Sequence, residues 1–411
     1  MNLPFSIVIL GLVFFFIMFR RFGNIRFQIW QIMTIGAILN LATFQISLLE
    51  AIKAINYEII FFLIGMFIVG EALHRSGYIH VISYHFFSRA DTFDKLLLYV
   101  IFIMGFLSAI LMNDTIAIIG TAIVLHFAKT HNISSKILLL ALAFSITVGS
   151  VMSPIGNPQN LLIASSKSFP EPFVNFFKYL FLPTIVNLFL IYFVLKIFYR
   201  KQFPRIVLVH EEPTIQNEKL ARLSKMALVF IVISIGVKVV FYLLKIPLEF
   251  PLVLIALISG VLILFFSSDR WVIFRSIDWE TILFFVAMFV VMQSAWNAQF
   301  FQKYIHQFNI HDLFIIFSLS IVLSQFISNV PLVMLFLGFL EIQPNVKEMI
   351  SLAAASTIAG NLTVLGAASN VIIIQNAEKQ NQHISSWEFS RVGLVLTLLN
   401  GIVYYFFLLL F

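Results

Sequence analysis

Seventeen consecutive uncharged residues, LPFSIVILGLVFFFIMF, fill positions 3–19, and runs of similar length recur as far as position 410. A helix rises 1.5 Å per residue, so about 20 apolar residues reach across a hydrocarbon layer of roughly 30 Å. Repeated runs of this length predict an all-α polytopic membrane protein. Of the 411 residues, 61% are hydrophobic and only 11% charged, against about a quarter charged in ordinary soluble domains. The first run has neither a basic n-region nor an A-x-A-like cleavage site, so it reads as a retained span rather than a signal peptide. The chain has no cysteine, which excludes a disulfide framework and a thiolate metal site.

Charged breaks divide the apolar sequence into spans near 3–19, 28–46, 58–74, 137–164, 174–198, 226–244, 250–267, 281–298, 349–377 and 392–410. Two further stretches, 96–128 and 313–340, are interrupted midway by polar residues. If both are re-entrant hairpins, the chain crosses ten times. Nineteen Lys and Arg then lie on one side; six, Lys53, Lys167, Lys178, Lys245, Lys303 and Lys347, lie on the other. Short basic loops mark the cytoplasmic side, and a full crossing by either hairpin would scramble this bias. The net charge of +7 is therefore explained by loop placement, with no nucleic-acid partner expected. Both termini are predicted outside the cytoplasm, with a bacterial inner membrane as the expected location.

The polar stretch RKQFPRIVLVHEEPTIQNEKLARLSK (200–225) reads as a cytoplasmic linker between two repeats, 1–199 and 226–411. INYEIIFFLIGMFIVGEA (55–72) matches IDWETILFFVAMFVVMQS (277–294) at seven positions of 18. LSAILMND (107–114) parallels LSQFISNV (323–330), and GNPQNLLI (156–163) parallels GAASNVII (366–373), in the same order. Each half would hold five spans, one of them broken, plus a re-entrant hairpin. Five is odd, so the second half enters the membrane upside down. Inverted repeats with interrupted helices are the architecture of secondary transporters, whose sites lie near the midplane.

Four polar clusters fall at membrane depth: MNDT (112–115), GSVMSPIGNPQN (149–160), SNVP (328–331) and GNLTVLGAASN (360–370). Each frees backbone groups that lipid cannot satisfy, which is tolerable only inside protein or along a watery cavity. Pro154 stops its helix, Gly156 permits a turn, and Asn157-Pro158 reads as an N-cap followed by proline at the first helical position. The short helix beginning there would aim free N–H groups inward, beside unwound carbonyls suited to Na⁺. Substrate or ion contacts are expected within these clusters, with Thr115, Ser153, Gly156 and Gly366 among the candidates.

Asp114 is the sharpest single residue. A central membrane carboxylate costs roughly 2.5–3.5 kcal/mol and is usually functional. It can exchange a proton for Na⁺, so it is the expected coupling residue, with a possible Na⁺ near Asn113, Asp114 and Asn157. The plainer reading is a cap on the helix that follows. Its repeat counterpart is Val330, so a charge-dependent role belongs to one half only. Glu58 and Glu280 lie at helix starts, where capping explains them, and Glu71 lies toward a span end. His210-Glu211 resembles the opening of H-E-x-x-H, but position 214 is Thr, so no zinc site follows.

NDTIAIIGTAIVL, SPIGNPQNLLIA, SNVPLV and GNLTVLGAASNVI together resemble the ion transporter superfamily. That group carries the citrate-transporter-like domain and includes arsenite permeases, dicarboxylate and sulfate carriers and some Na⁺/H⁺ antiporters. The resemblance spans nearly the whole chain. It implies hairpins entering from opposite faces, with tips meeting the two broken helices to form ion and substrate sites. Asn113, Asp114, Asn157, Asn160, Ser328, Asn329, Asn361, Thr363 and Asn370 are carried over as candidates. Dicarboxylate carriers show a Ser-Asn-Thr pattern at each tip; this chain has Met112-Asn113-Asp114 and Ser328-Asn329-Val330. Asn-Asp at the first tip is closer to the arsenite-permease branch, which implies proton coupling.

The function expected is secondary active transport of a small anion, an inorganic oxyanion or carboxylate, coupled to H⁺ or Na⁺ by alternating access. A Na⁺/H⁺ antiporter is the alternative. An intramembrane enzyme lacks a nucleophile–base pair, and a channel fits two broken repeats less well. No cofactor beyond Na⁺ is expected. Aromatic-rich spans at 1–46 and 226–267 would suit a homodimer contact.

Overall fold

The computed structural model describes residues 4–19, 21–22, 25–87, 89–131, 133–203, 215–244, 251–300, 303, 311–340 and 345–411. The first half runs α1 (Phe5–Phe19), α2 (Ile29–Ala42), α3 (Leu48–Ala54), α4 (Tyr57–Ser76), α5 (Tyr78–Phe87), α6 (Phe93–Leu111), α7 (Asn113–Thr130), α8 (Ser135–Val151), α9 (Pro158–Ala164) and α10 (Pro172–Phe198). A two-residue antiparallel ladder, β1 (Arg21–Phe22) with β2 (Ile25–Arg26), lies between α1 and α2. The second half runs α11 (Glu218–Leu243), α12 (Leu252–Phe266), α13 (Arg270–Ser276), α14 (Trp279–Asn297), α15 (Leu313–Ile327), α16 (Asn329–Leu340), α17 (Val346–Ile358), α18 (Ala368–Glu378) and α19 (Ser386–Leu410).

This is an all-α polytopic membrane protein. Six helices among the described residues are long and apolar enough to cross a bilayer: α4, α6, α10, α11, α14 and α19. Three of the expected spans are shorter, because α1, α2 and α12 contain 15, 14 and 15 residues, or about 21–23 Å of rise. The linker is also shorter than its polarity suggested. Asn217 Oδ1 accepts the Leu220 N–H (3.0 Å) and starts α11 at Glu218; Glu218 then pairs with Arg222 one turn on (3.5 Å). His210 and Glu211 lie outside the described residues.

Both interrupted stretches fold as helical hairpins. α6 and α7 pack on each other and both pack on α8, so the chain doubles back at Met112. α15 and α16 repeat this against α17, turning at Ser328. The two turn residues occupy equivalent positions and share one unusual backbone conformation, φ 70°, ψ 144° at Met112 and φ 67°, ψ 156° at Ser328. That region is nearly exclusive to glycine and costs about 1–3 kcal/mol elsewhere. Ser328→Gly is accordingly expected to raise the thermal midpoint of the purified protein by a few degrees, whereas Ser328→Ala leaves it unchanged. Equal midpoints for the two variants would mean that the tip holds no strain.

The halves interlock. α7 packs on α18 of the other half and α16 packs on α9; α4 packs on α12, and α14 on α2. Small residues allow the closest approaches, as expected where helices associate without a solvent-driven force. At the α4–α12 crossing, Gly65 lies against the Ala256 backbone and Gly260 against Gly65. α10 and α19 close the bundle as neighbours.

Candidate functional site

The first tip is fixed to the first break. The Asn113 N–H donates to the Gly156 carbonyl (2.9 Å), and Asn113 Nδ2 donates to Ser369 Oγ at the start of α18 (3.4 Å). Asn113 Oδ1 is buried without a partner. Asp114 follows, 5% exposed, and makes no hydrogen bond or ion pair to a described residue. Met112, at the N-cap position of α7, supplies no side-chain cap. Thr115 faces away, its methyl group filling the space beside Gly70 of α4.

The first break is satisfied internally. Asn157 Oδ1 accepts the Asn160 N–H (2.8 Å), and its Nδ2 donates to Ser150 Oγ (2.9 Å) and Thr357 Oγ1 (3.3 Å). The Asn160 amide donates to the carbonyls of Ser150, Val151 and Ser153 (3.1, 3.3 and 3.0 Å). The carbonyls expected to face Na⁺ are thus bound by Asn160, and the Asn157 oxygen is spent on a cap. Gly156 is required here, since a Cβ would collide with the Ser150 backbone.

The second break is built differently. Gln325 on α15 donates to the Ala359 carbonyl (2.8 Å) and accepts from Thr363 Oγ1 (3.0 Å), tying the second hairpin to the break. Asn370 Nδ2 donates to the Gly360 carbonyl (2.7 Å), and the Gly366 N–H donates to the Thr363 carbonyl (3.0 Å). Buried oxygens of Asn329, Asn361 and Asn370 have no partner. Where Asn157 caps α9, the equivalent residue before α18 is Ala367, which offers no side-chain cap. The first N–H groups of α18 are therefore left for another acceptor.

One cavity of about 180 Å³ collects these parts. It is lined by Asn113 and Asp114 from the first tip, Ser328, Asn329 and Val330 from the second, Pro158 and Gln159 of α9, and Ala367 and Ala368 of α18. Gln28, Trp30, Asp278, Glu280, Thr281 and Gln375 complete the wall. Gln28 and Glu280 are exposed at its rim, while Asn113 and Asp114 are buried at its floor. Among the described residues the lining holds three carboxylates and no Lys, Arg or His. A second cavity of about 590 Å³ lies at the other ends of α9 and α14, lined by Asn56, Ser165, Lys167, Gln293, Trp296 and Gly338 among others. The turns of α9 divide the two.

Of the sequence-derived candidates, Asn113, Asp114, Ser328 and Asn329 line the first cavity; Asn157, Asn160, Ser153, Gly156, Asn361, Thr363, Gly366 and Asn370 form the scaffold behind it. Trp30, Gln159, Asp278 and Gln375 were not foreseen. Gln159 aligns with Ser369, and no single-residue signal marks Gln28, Trp30 or Gln375. Asp278 was hidden by its capping role: it accepts the Thr281 N–H (3.0 Å) and hydroxyl (2.6 Å) at the start of α14. Glu280, read as a cap, stands beside that cap at the rim.

Two helical hairpins thus bring their tips, with the starts of two half-helices, to one cavity that opens at its rim. The profile of the citrate transporter family matches residues 13–346, and the chain belongs to that family. A 46 kDa membrane protein of Mycobacterium leprae is 24% identical over 375 residues, covering 84% of each chain. A putative transporter, arsB, of Dictyostelium discoideum is 22% identical over 465 residues, covering 84% of this chain and 81% of its own. The silicon efflux transporter LSI3 of rice is 35% identical over 130 residues, 32% of this chain and 27% of its own. The protein is a membrane transporter of the citrate and arsenite permease type.

Proposed function

We propose that the protein is a secondary active carrier of a small oxyanion or carboxylate, coupled to H⁺ or Na⁺ at Asp114, working by alternating access between inverted halves. The cavity carries this reading. Both tips and the starts of both half-helices border it, and the bordering residues Asn113, Asn329 and Trp30 carry buried groups of both kinds, two acceptor oxygens and an indole N–H, without a hydrogen-bond partner among the described residues. The uncapped start of α18 adds donors suited to a substrate oxygen. Three carboxylates, with no basic residue in the described lining, repel a bare anion, so the substrate arrives with its charge compensated by protons or a cation. That requirement is itself a coupling mechanism. The exchange of packing partners between halves supports the inverted relation, and the two cavities divided by α9 support access from alternate sides. The rim adjoins segments bearing Arg26, Arg275 and Lys379, and this charge bias supports a cytoplasmic rim.

Proteoliposome uptake tests the reading, with a panel of citrate, smaller carboxylates, arsenite, silicate and sulfate across pH and Na⁺ gradients. Saturable flux of one of these driven by either gradient supports it. Gradient-insensitive or non-saturating flux would reject it. The all-acidic lining also favours a second reading, a Na⁺/H⁺ antiporter; Na⁺-driven proton movement in vesicles that contain none of these solutes would establish that one instead.

Asp278 gives a narrower expectation. It lines the same cavity as Asp114, and asparagine caps a helix as well as aspartate does. Asp278→Asn should therefore keep the fold but weaken the apparent affinity for the coupling ion from the rim side by roughly three- to tenfold, the effect of about 1 kcal/mol. Half-saturation measured in inside-out vesicles checks this; an unchanged value removes Asp278 from the ion path.

A further inference from the structure

A second group of unpartnered polar atoms lies between α10 and α19, away from the transport cavity. Thr184 and Asn187 on α10, and Thr397 and Asn400 on α19, form the same Thr-x-x-Asn pattern, TIVN and TLLN, in the two halves. All four are buried, both asparagines at 0% exposure. Among the described residues neither amide atom of Asn400 has a hydrogen-bond partner, nor has Thr397 Oγ1, and the Asn187 amide reaches no acceptor or donor other than the neighbouring Tyr404 hydroxyl.

The helix register brings the two patterns together. α10 and α19 run antiparallel, with the Tyr179 ring against Phe411 (6.1 Å between centroids), Thr184 Oγ1 bonded to the Tyr404 hydroxyl (2.7 Å) and the Tyr199 hydroxyl donating to Glu388 (3.0 Å). In that register Asn187 stands opposite Asn400 and Gly401, and its amide also lies beside the Tyr404 hydroxyl. The matching Thr-x-x-Asn segments of the two halves thus face each other across the seam. Pro183, immediately before Thr184, denies the preceding turn of α10 one hydrogen bond. The same two helices flank α8 and α17, the long segments of the broken helices.

Buried polar atoms left unsatisfied cost about 1–3 kcal/mol each, a large share of an ordinary domain's stability when several stand together, and a ligand in the seam would offset that cost. A cation would serve the amide oxygens and leave the N–H groups idle; an anion would do the reverse. Water both donates and accepts, and buried sites of this kind hold it. We propose that the α10–α19 seam is a binding site for buried water, held by the paired Thr-x-x-Asn segments, and that this hydrated joint is the axis on which the halves turn. The second clause rests on alternating access; the first stands without it.

X-ray radiolysis generates hydroxyl radicals from water and labels side chains beside it. In the full-length protein in detergent, Tyr404 is expected to be labelled despite its burial. The N187L/N400L variant should lose that labelling at least tenfold, and N187S/N400S should retain it. Native Tyr404 as unreactive as the buried Phe144 would overturn the water site. Each single leucine variant should lower the thermal midpoint by several degrees, and the double variant should recover most of that loss; additive losses would break the pairing. In transport assays the double leucine variant should bind substrate normally but turn over about tenfold more slowly. Native turnover with labelling lost would keep the site and overturn the joint. Absence of gradient-driven transport in the native protein would overturn the carrier reading and leave the water site standing.

Discussion

Asp114→Asn is expected to abolish the dependence of transport on pH or Na⁺ while leaving a folded, more stable protein. Asp114 is buried and unpaired among the described residues, and the other charged groups in the described cavity lining are carboxylates, Asp278 and Glu280. Its place in the first turn of α7 offsets part of the burial cost, but helix-end effects reach about 0.3–1 kcal/mol, at most near 2. A carboxylate at this depth costs roughly 2.5–3.5 kcal/mol. Capping alone therefore leaves a deficit, and the residue offers the helix no cap that would repay it. Asparagine has the same shape and no charge, so the thermal midpoint should rise by several degrees. If Asp114 binds the coupling ion, a gradient that accelerates native uptake about tenfold per unit of pH or decade of Na⁺ should have no effect on the variant. Flux down the substrate gradient should persist. Retained coupling in D114N proteoliposomes would remove Asp114 from the mechanism, whatever the stability result.

Length and polarity carried much of the architecture. The hairpin limits and both breaks were legible because polar residues inside apolar runs have few explanations. The three short helices were not, since an apolar run marks what lipid tolerates and not where helical hydrogen bonding stops. Met112 and Ser328 illustrate another limit: neither is glycine, so neither announces the strained turn it makes. At the site, residue type located the clusters but could not assign side-chain direction. Asn157 and Asn160 are substrate- or ion-site candidates by residue type, and the structure directs the amides of both to α8, α9 and Thr357. Asp278 lies far from the first tip in sequence and joins it only through the packing of α14 on its neighbours. The Thr-x-x-Asn pair needed the register of α10 on α19 before either half meant anything.

Gly149→Ala is expected to prevent stable folding, although alanine is the better helix former. In an exposed helix the substitution gains up to about 1 kcal/mol, and Gly236 on α11, with nothing within 4 Å of where its Cβ would stand, should show that gain. At Gly149 the new Cβ would enter the backbone of Gly105 on α6. One turn along, Ser108 Oγ donates to the Ile146 carbonyl (2.7 Å), so the two helices are held too closely to yield. Separating them breaks that bond, opens the α6–α8 core and carries the first tip away from Gly156. A backbone collision in a packed core costs about 3 kcal/mol or more, a large share of a typical stability of 5–15 kcal/mol. G149A should therefore give little monodisperse protein by detergent size-exclusion chromatography, with any survivor melting well below native, while G236A melts at or above it. Native yield and midpoint for G149A would mean that the first hairpin does not dock on α8 as described, and the position of Asp114 at the cavity floor would fall with it.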